Sequence, residues 1–340
     1  MEKITIWNNK GGTGKTSIAF QIISEYAIRH KEKKILVLDV CPQANLSELL
    51  LGSLSNHGSD HLLQRQGTKV RSTIGGYFQS RLPSPYKQLD NFDPDDYLTV
   101  PMKYNDKIPS NITLLCGDPL LELQSNAIST LANNQIPGTN TWLSIIDWLN
   151  DFIKPIEKNF DIMFIDTNPS FSIYTQIALA TTEKLILPVM ADDSSRRAIQ
   201  NAFSLIYGLK LPSEIYAKYA FAEKLLAAKR ELPKVHLILK NRLTQYMGPA
   251  SAYATVLKAI DSELSELIVK HPNYFTFDTI SEGILDIRDF QTAGVVSSAR
   301  GCPFSKMRAG KLQLGDKRVQ VNGDRLNECV TAIQRIVDKI

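Results

Sequence analysis

The chain has 340 residues, of which 43% are hydrophobic and 22% charged. This is globular composition, enough for one large α/β domain or two modest ones, and no low-complexity tract or fixed-period repeat argues for a fibrous or solenoid chain. No run of about 18 apolar residues suggests a membrane-spanning helix. The net charge of +4 permits contact with nucleic acid without demanding it.

In chain order, short apolar runs that read as buried parallel strands alternate with amphipathic stretches of helical length. The first strand, Ile4–Trp7, opens the chain without a basic leader and cleavage site, so the expected location is the cytoplasm. A helix over Thr16–Arg29 follows, with Ile18, Ile22, Ile23 and Tyr26 on one face, then a strand at Ile35–Leu38. Residues 52–110 are polar and rich in Gly, Pro, Asn and Ser, with helical hints near Leu62 and Ile74; they read as a surface insertion with small elements of its own. Beyond it come a strand at Ile112–Leu115, a helix over Trp142–Ile153, and strands at Ile162–Ile165 and Leu185–Val189. The rest reads as a helix over Ser194–Tyr207, a helical insertion at 211–232, a strand at Val235–Leu239 and a helix over Pro249–Val269. This alternation predicts an α/β fold, a mostly parallel twisted sheet with helices on both faces, as one domain carrying two insertions. The four cysteines (Cys41, Cys116, Cys302, Cys329) lack C-x-x-C or His spacing, so neither a disulfide framework nor a structural zinc is expected.

Residues 8–17 read NNKGGTGKTS between a strand and a helix, the context a phosphate loop needs. Gly11, Gly12 and Gly14 let the backbone curl so that N–H groups converge on phosphate oxygens. The helix start adds its dipole, Lys15 reaches the β- and γ-phosphates, and Thr16 offers a hydroxyl to Mg²⁺. Thr13 and Ser17 complete the nucleotide-binding set. The first glycine of the plain motif is replaced by Asn9, and a second lysine, Lys10, opens the loop.

With Lys10 the loop resembles the deviant Walker A motif, K-G-G-x-G-K-[TS], of the ParA/MinD family of P-loop ATPases. The resemblance runs from residue 3 to about residue 310 and is most specific at 8–17. It implies that Lys10 acts in trans on the ATP of a partner in an ATP-sandwich homodimer. Asp39-Val40-Cys41-Pro42-Gln43-Ala44-Asn45 matches D-x-D-P-Q-x-N of the ParA branch, and Phe164-Ile165-Asp166-Thr167-Asn168-Pro169 resembles the family's Walker B variant. By that resemblance Asp39 and Asp166 face the Mg²⁺ and its water shell; a helix-capping role is the plain alternative for Asp39. Asn168 stands where a second proline is common. Asn241, in Leu239-Lys240-Asn241-Arg242, falls where the family reads the adenine edge, the alternative being an Asn that ends a strand in a turn.

Cys41 departs from the family, which has at this position the aspartate that orients the attacking water. A thiol cannot act as a carboxylate. Hydrolysis is slow, or Asp39 or Asp166 orients the water, or Cys41 is a redox switch; all three stay open on sequence.

The core names the switch and not its cargo. The resemblance implies ATP and Mg²⁺ as cofactors, a protein adaptor that stimulates turnover, and a role in DNA or plasmid partition or cargo positioning. Arg242, Arg300, Lys306, Arg308 and Lys311, with Lys317 and Arg318, are candidate contacts to non-specific DNA, which would place the protein on the nucleoid. A solvated, charge-balanced surface is the alternative. A regulatory ATP switch docking a dedicated protein partner is the second reading. A MinD-like membrane association is the third and is disfavoured, because the amphipathic segment Leu326–Ile340 carries mixed charges on its polar face. It reads better as a helix packed on the sheet, with Leu326, Val330, Ile333, Ile336, Val337 and Ile340 inward.

Overall fold

A computed structural model describes residues 1–190, 192–243 and 252–340. Strands β1 (Glu2–Ile6), β2 (Ile35–Val40), β3 (Leu98–Thr99), β4 (Ile112–Leu115), β5 (Ile162–Thr167), β6 (Lys184–Met190), β7 (Lys234–Leu243) and β8 (Ile284–Arg288) form one sheet in the order β3-β4-β2-β5-β1-β6-β7-β8. Every pairing is parallel except β3 with β4. All six strands expected from apolar runs are present. The two strands of this sheet without a continuous apolar run are at its edges, β3 with only two residues and β8 exposed at alternate positions. Short or half-solvated strands lack the continuous apolar run of a central parallel strand.

Alternation divides the sheet between two cores. Leu36, Leu38, Met163, Ile165, Leu185, Leu187 and Val189 point to one, and Ile35, Val37, Ile162, Phe164, Ile4, Ile6 and Ile186 to the other. In β7 the phase slips at His236, an extra residue between Val235 and Leu237, so Val235 and Ile238 face the first core and Leu237 and Leu239 the second.

The second core is covered by α1 (Lys15–Arg29), α2 (Asn45–Leu50) and α3 (Gly58–Gln66) from the first part of the chain. The first is covered by α4 (Ile74–Arg81), α5 (Leu120–Asn133), α6 (Thr141–Ile146), α7 (Trp148–Ile153), α8 (Ile173–Ala180), α9 (Asp193–Tyr207), α11 (Phe221–Ala227) and α12 (Ala252–Lys270). The short α10 (Glu214–Ala217) lies outside both cores, and α13 (Ile280–Gly283) leads into β8. Helices α14 (Gln291–Arg300) and α15 (Gly323–Val337) return to the second core. Between these two runs a hairpin, β9 (Gly310–Leu314) and β10 (Lys317–Val321), which the sequence reading missed.

Two expectations change in detail. The single helix expected over Trp142–Ile153 is two, meeting at Asp147, whose backbone (φ −82°, ψ 2°) breaks the helical run. The strand at Val235–Leu239 runs on to Leu243. The expected start of the next helix, at 249–251, lies outside the described residues. The C-terminal helix buries the expected Leu326, Ile333, Ile336 and Val337 against α1 and β8, with Cys329 added to the inward face and Val330 and Ile340 only partly buried.

The segment 52–110 is fixed to the frame by buried polar contacts. Arg71 donates Nε and Nη2 to the two carboxylate oxygens of buried Asp118, both at 2.7 Å. The Arg65 guanidinium holds the carbonyls of Tyr97 and Leu98, and β3 then extends the sheet. The segment 211–232 docks through Phe221, set between Trp142 and Phe171, and through an Arg230–Asp147 ion pair at 2.8 Å.

Candidate functional site

The site lies where β1, β2 and β5 end together, at the carboxyl edge of the sheet, where an open parallel sheet leaves a crevice. Strand β1 leads into the loop, whose entry is held by Asn8. Its Nδ2 donates to the Pro188 carbonyl at 2.7 Å, and its Oδ1 accepts from the Lys10 amide at 3.0 Å. Gly12 and Gly14 take left-handed backbone at φ 73° and 82°, which side chains resist. A Cβ on Gly11 or Gly12 would meet nothing, whereas one on Gly14 would run into the Asn241 amide. The cradle is thus open at its mouth and tightly backed at its base, just before the N-terminus of α1.

Inside the loop, Lys15 is buried, and its Nζ donates to the Lys10 carbonyl at 3.2 Å. Burial lowers its pKa, and the negative potential of Asp166 offsets part of that. The Thr16 hydroxyl donates to Asp166 Oδ2 at 2.9 Å, and Ser17 is exposed on the first turn of α1. Asp39 and Asp166 are register partners on adjacent strands and both are fully buried. Asp39 accepts from the Ser47 amide and hydroxyl at 2.8 and 2.7 Å and from the Cys41 amide at 3.2 Å. Burial raises the pKa of both carboxyls, and for Asp166 the nearby Asp39 adds to it.

Two adjacent buried carboxylates with one partly desolvated lysine leave a site short of positive charge. Asp166 Oδ1, Thr13 Oγ1, Asn9 Oδ1 and Asn241 Oδ1 are buried without a hydrogen-bond partner among the described residues. Oxygen donors of this kind beside a threonine hydroxyl suit Mg²⁺ with its water shell, and the curled loop suits phosphate.

Cys41 follows Asp39 by two residues and is 7% exposed. Burial, together with Asp39 and Asp166, pushes its thiol pKa up to about 12. A neutral thiol is neither a base nor a ready target of oxidants, which removes the ground for a redox switch here.

Lys10 lies outside the cradle. Its Nζ donates to both carboxylate oxygens of Asp192, at 2.8 and 2.7 Å, and to the hydroxyls of Ser194 and Ser195, at the start of α9. Within one chain, then, the second lysine is held in cis. Asn241 is buried beneath the loop and donates Nδ2 to the Thr13 carbonyl at 2.9 Å, so its amide braces the cradle while its Oδ1 is left open. Of the basic candidates, Lys306, Arg308, Lys311, Lys317 and Arg318 are exposed, the last three on the hairpin. Arg300 is half-buried and donates to the Gln313 carbonyl, and the Arg242 side chain lies outside the described part. None of these basic residues adjoins the loop through a described hydrogen bond or ion pair.

Sequence reasoning missed Asn8, Ser47, Asp192, Ser194 and Ser195. Asp192 lies 182 positions from Lys10, and its one local signal was a helix-cap pattern, since its Oδ1 accepts from the Ser195 amide. A groove of about 770 Å³ between Asp289–Gln291 and α15 contains none of the loop residues.

Residues 1–213 match the AAA_31 family, described as an AAA domain. The chain is 22% identical over 309 residues to a virulence-plasmid ParA family protein, pGP5-D of Chlamydia muridarum, an alignment covering 82% of this chain and 98% of that one. It is 23% identical over 238 residues, 69% of this chain and 77% of the other, to an ATP-binding protein of Methanocaldococcus jannaschii, MJ0685. Its fold is like that of a Cyanothece McdA variant in complex with ATP, at a TM-score of 0.60 and 15% identity over 100% of this chain and 96% of that one.

Proposed function

The chain belongs to the AAA_31 family of ParA/MinD-type P-loop proteins, and from that premise we propose that it is an ATP-driven partition or cargo-positioning switch. Gly11–Ser17 bind the triphosphate and Lys15 neutralises its terminal charge. Thr16, Asp39 and Asp166 hold Mg²⁺, the two aspartates through water. Bound there, Mg²⁺ would screen the phosphate oxygens and neutralise the paired carboxylates. The observation that carries the proposal is the pairing of an open, orphan-lined cradle with a second lysine outside it. The Lys10 ammonium does not point into its own cradle, which supports a role toward a second copy of the chain once Asp192 releases it.

Dimerisation then depends on ATP and on Lys10. Light scattering with and without Mg·ATP tests this directly. A wild type that stays monomeric with ATP bound would refute the sandwich reading, as would Lys10→Ala dimerising like wild type.

Hydrolysis is slow in this reading, because the buried Cys41 thiol has no charge with which to orient water. The ATP-bound dimer is correspondingly long-lived, and a protein adaptor would speed its release. The exposed bases Lys306, Arg308, Lys311, Lys317 and Arg318 are the contacts for non-specific DNA in this account, with Arg300 beside them. DNA binding that needs ATP and weakens steeply with salt supports that part. Binding that fails even at low salt leaves the second reading, a switch for a dedicated protein partner, which the docked segments 52–110 and 211–232 would serve. No helix among the described residues is long and apolar enough to cross a membrane.

A further inference from the structure

The loop after Asp166 is held at both ends by side chains that the reading above does not use. Two residues beyond Asp166, the Asn168 Nδ2 donates to the Tyr174 hydroxyl at 2.8 Å. That hydroxyl donates in turn to Glu122 Oε2, on the first turn of α5, at 3.0 Å. Ser170 Oγ lies 3.4 Å from the same hydroxyl. Tyr174 itself is 1% exposed, so its ring is fixed in the core and its one polar atom is the fixed point of the chain. At the far end of the loop, Phe171 packs between Trp7, the residue before Asn8, and Phe221 of α11, with ring centroids 5.7 Å apart in each pair. The backbone just before Asn168 is anchored separately, since the Thr167 hydroxyl donates to the Ile6 carbonyl at 3.0 Å.

An asparagine in a loop usually bonds its own backbone and makes a turn. Here its amide reaches instead to a buried phenol six residues on, and through it to a different helix. We infer that Asn168 and Tyr174 are positioning residues for the nucleotide site: the relay Asn168–Tyr174–Glu122 sets the course of the chain as it leaves Asp166. The inference rests on the reading of Asp166 as part of the metal shell. A carboxylate on the last turn of a strand is placed in two ways, by the strand before it and by the loop after it. The strand ladder fixes the first, and the relay fixes the second. Loosening the loop shifts where the exit peptide and the carboxylate lie relative to the terminal phosphate. It leaves the cradle itself, built from residues 8–16, in place. Turnover suffers from such a shift and affinity does not, because positional errors near a reacting centre cost rate.

The test is ATP turnover by the full chain at saturating Mg·ATP, with affinity read from a fluorescent ATP analogue. Asn168→Ala and Tyr174→Phe should each lower kcat about three- to tenfold, the rate equivalent of the net worth of the one intraprotein hydrogen bond that holds the loop. Affinity should stay within about twofold for both, and the double variant should be no slower than either single one, because both changes break the same relay. Tyr86→Phe is the control for lost stability, since it deletes a comparable bond to the Leu131 carbonyl (2.9 Å) away from the loop, and it should leave kcat alone. Should Tyr174→Phe fold poorly, Asn168→Ala on the partly exposed loop still decides the matter. Singles that turn over like Tyr86→Phe, or losses that multiply in the double, overturn the inference. If wild type and Lys15→Ala are equally unable to bind ATP, the nucleotide reading itself has failed and takes this inference with it. Wild-type turnover with unaffected variants removes this inference alone.

Discussion

Replacing Asp192 by asparagine removes the charge that grips Lys10 and keeps a side chain of the same shape able to cap α9. In the wild type the Lys10 ammonium lies 2.8 and 2.7 Å from the two carboxylate oxygens. Burial alone would raise the Asp192 pKa, but Lys10 and the Ser194 and Ser195 hydroxyls outweigh it and bring the value from 3.8 to about 2. At about 1.36 kcal/mol per unit that drop corresponds to roughly 2.5 kcal/mol, shared between Lys10 and the two hydroxyls. The Asp192 side chain is 41% exposed. Solvent screening at such exposure reduces the figure to about 1 kcal/mol, a factor of about five. If Asp192 competes with a partner's nucleotide for Lys10, Asp192→Asn should tighten the ATP-dependent dimer about fivefold, measured by sedimentation velocity across a dilution series. Because the native pKa is depressed, the attraction is complete above the ordinary carboxylate value and is lost only as pH falls toward 2. The gap between variant and wild type should therefore be the same at about pH 6 and pH 8. A dimer weakened by Asp192→Asn would refute the competition and make Asp192 a guide that presents Lys10 to the partner.

Gly14→Ala should abolish measurable ATP binding in an equilibrium titration, because φ at 82° is strained for alanine and the new methyl strikes Asn241 beneath the loop. Cys41→Asp should raise kcat about tenfold or more in a phosphate-release assay by adding a charged group that can orient water; an unchanged rate would place water orientation on Asp39 or Asp166. In the metal-free protein, burial raises the pKa of both Asp39 and Asp166, and the nearby Asp39 raises that of Asp166 further. Their contribution to stability is then fully present below the unfolded carboxylate pKa and is lost as pH rises through the native values. Thermal unfolding without metal should show stability falling between about pH 4 and pH 7, with Asp39→Asn flattening the slope and Mg·ATP restoring stability at the upper end.

The central strands were legible because a parallel strand buried on both faces reads as an unbroken apolar run, as in Ile35–Leu38 and Ile162–Ile165. Strand β8 shows no apolar run because alternate residues are exposed, and the hairpin at 310–321 was hidden because its outward Lys311, Gln313, Arg318 and Gln320 masked a thin apolar face of Leu312 and Val319. The break at Asp147 had no glycine or proline to announce it. Helix α5 was passed over because the polar Gln124 sits on its buried face among Leu121, Ile128 and Ala132.

For the site, the local motif alone determined the phosphate cradle. Turn, glycines, lysine and threonine are contiguous, so short-range geometry suffices to bring them together. Asp39 and Asp166 were readable for a related reason, since a carboxylate closing a buried strand demands a cation or donors nearby. Tertiary structure alone decided what those residues touch. It seated Lys10 on Asp192, set Asn241 under Thr13, buried Cys41 beside two carboxylates, and ran Asn168 through Tyr174 to Glu122. Each of these depends on strand order and helix docking. These bring together residues as much as 228 positions apart in the chain, and no local pattern encodes such an approach.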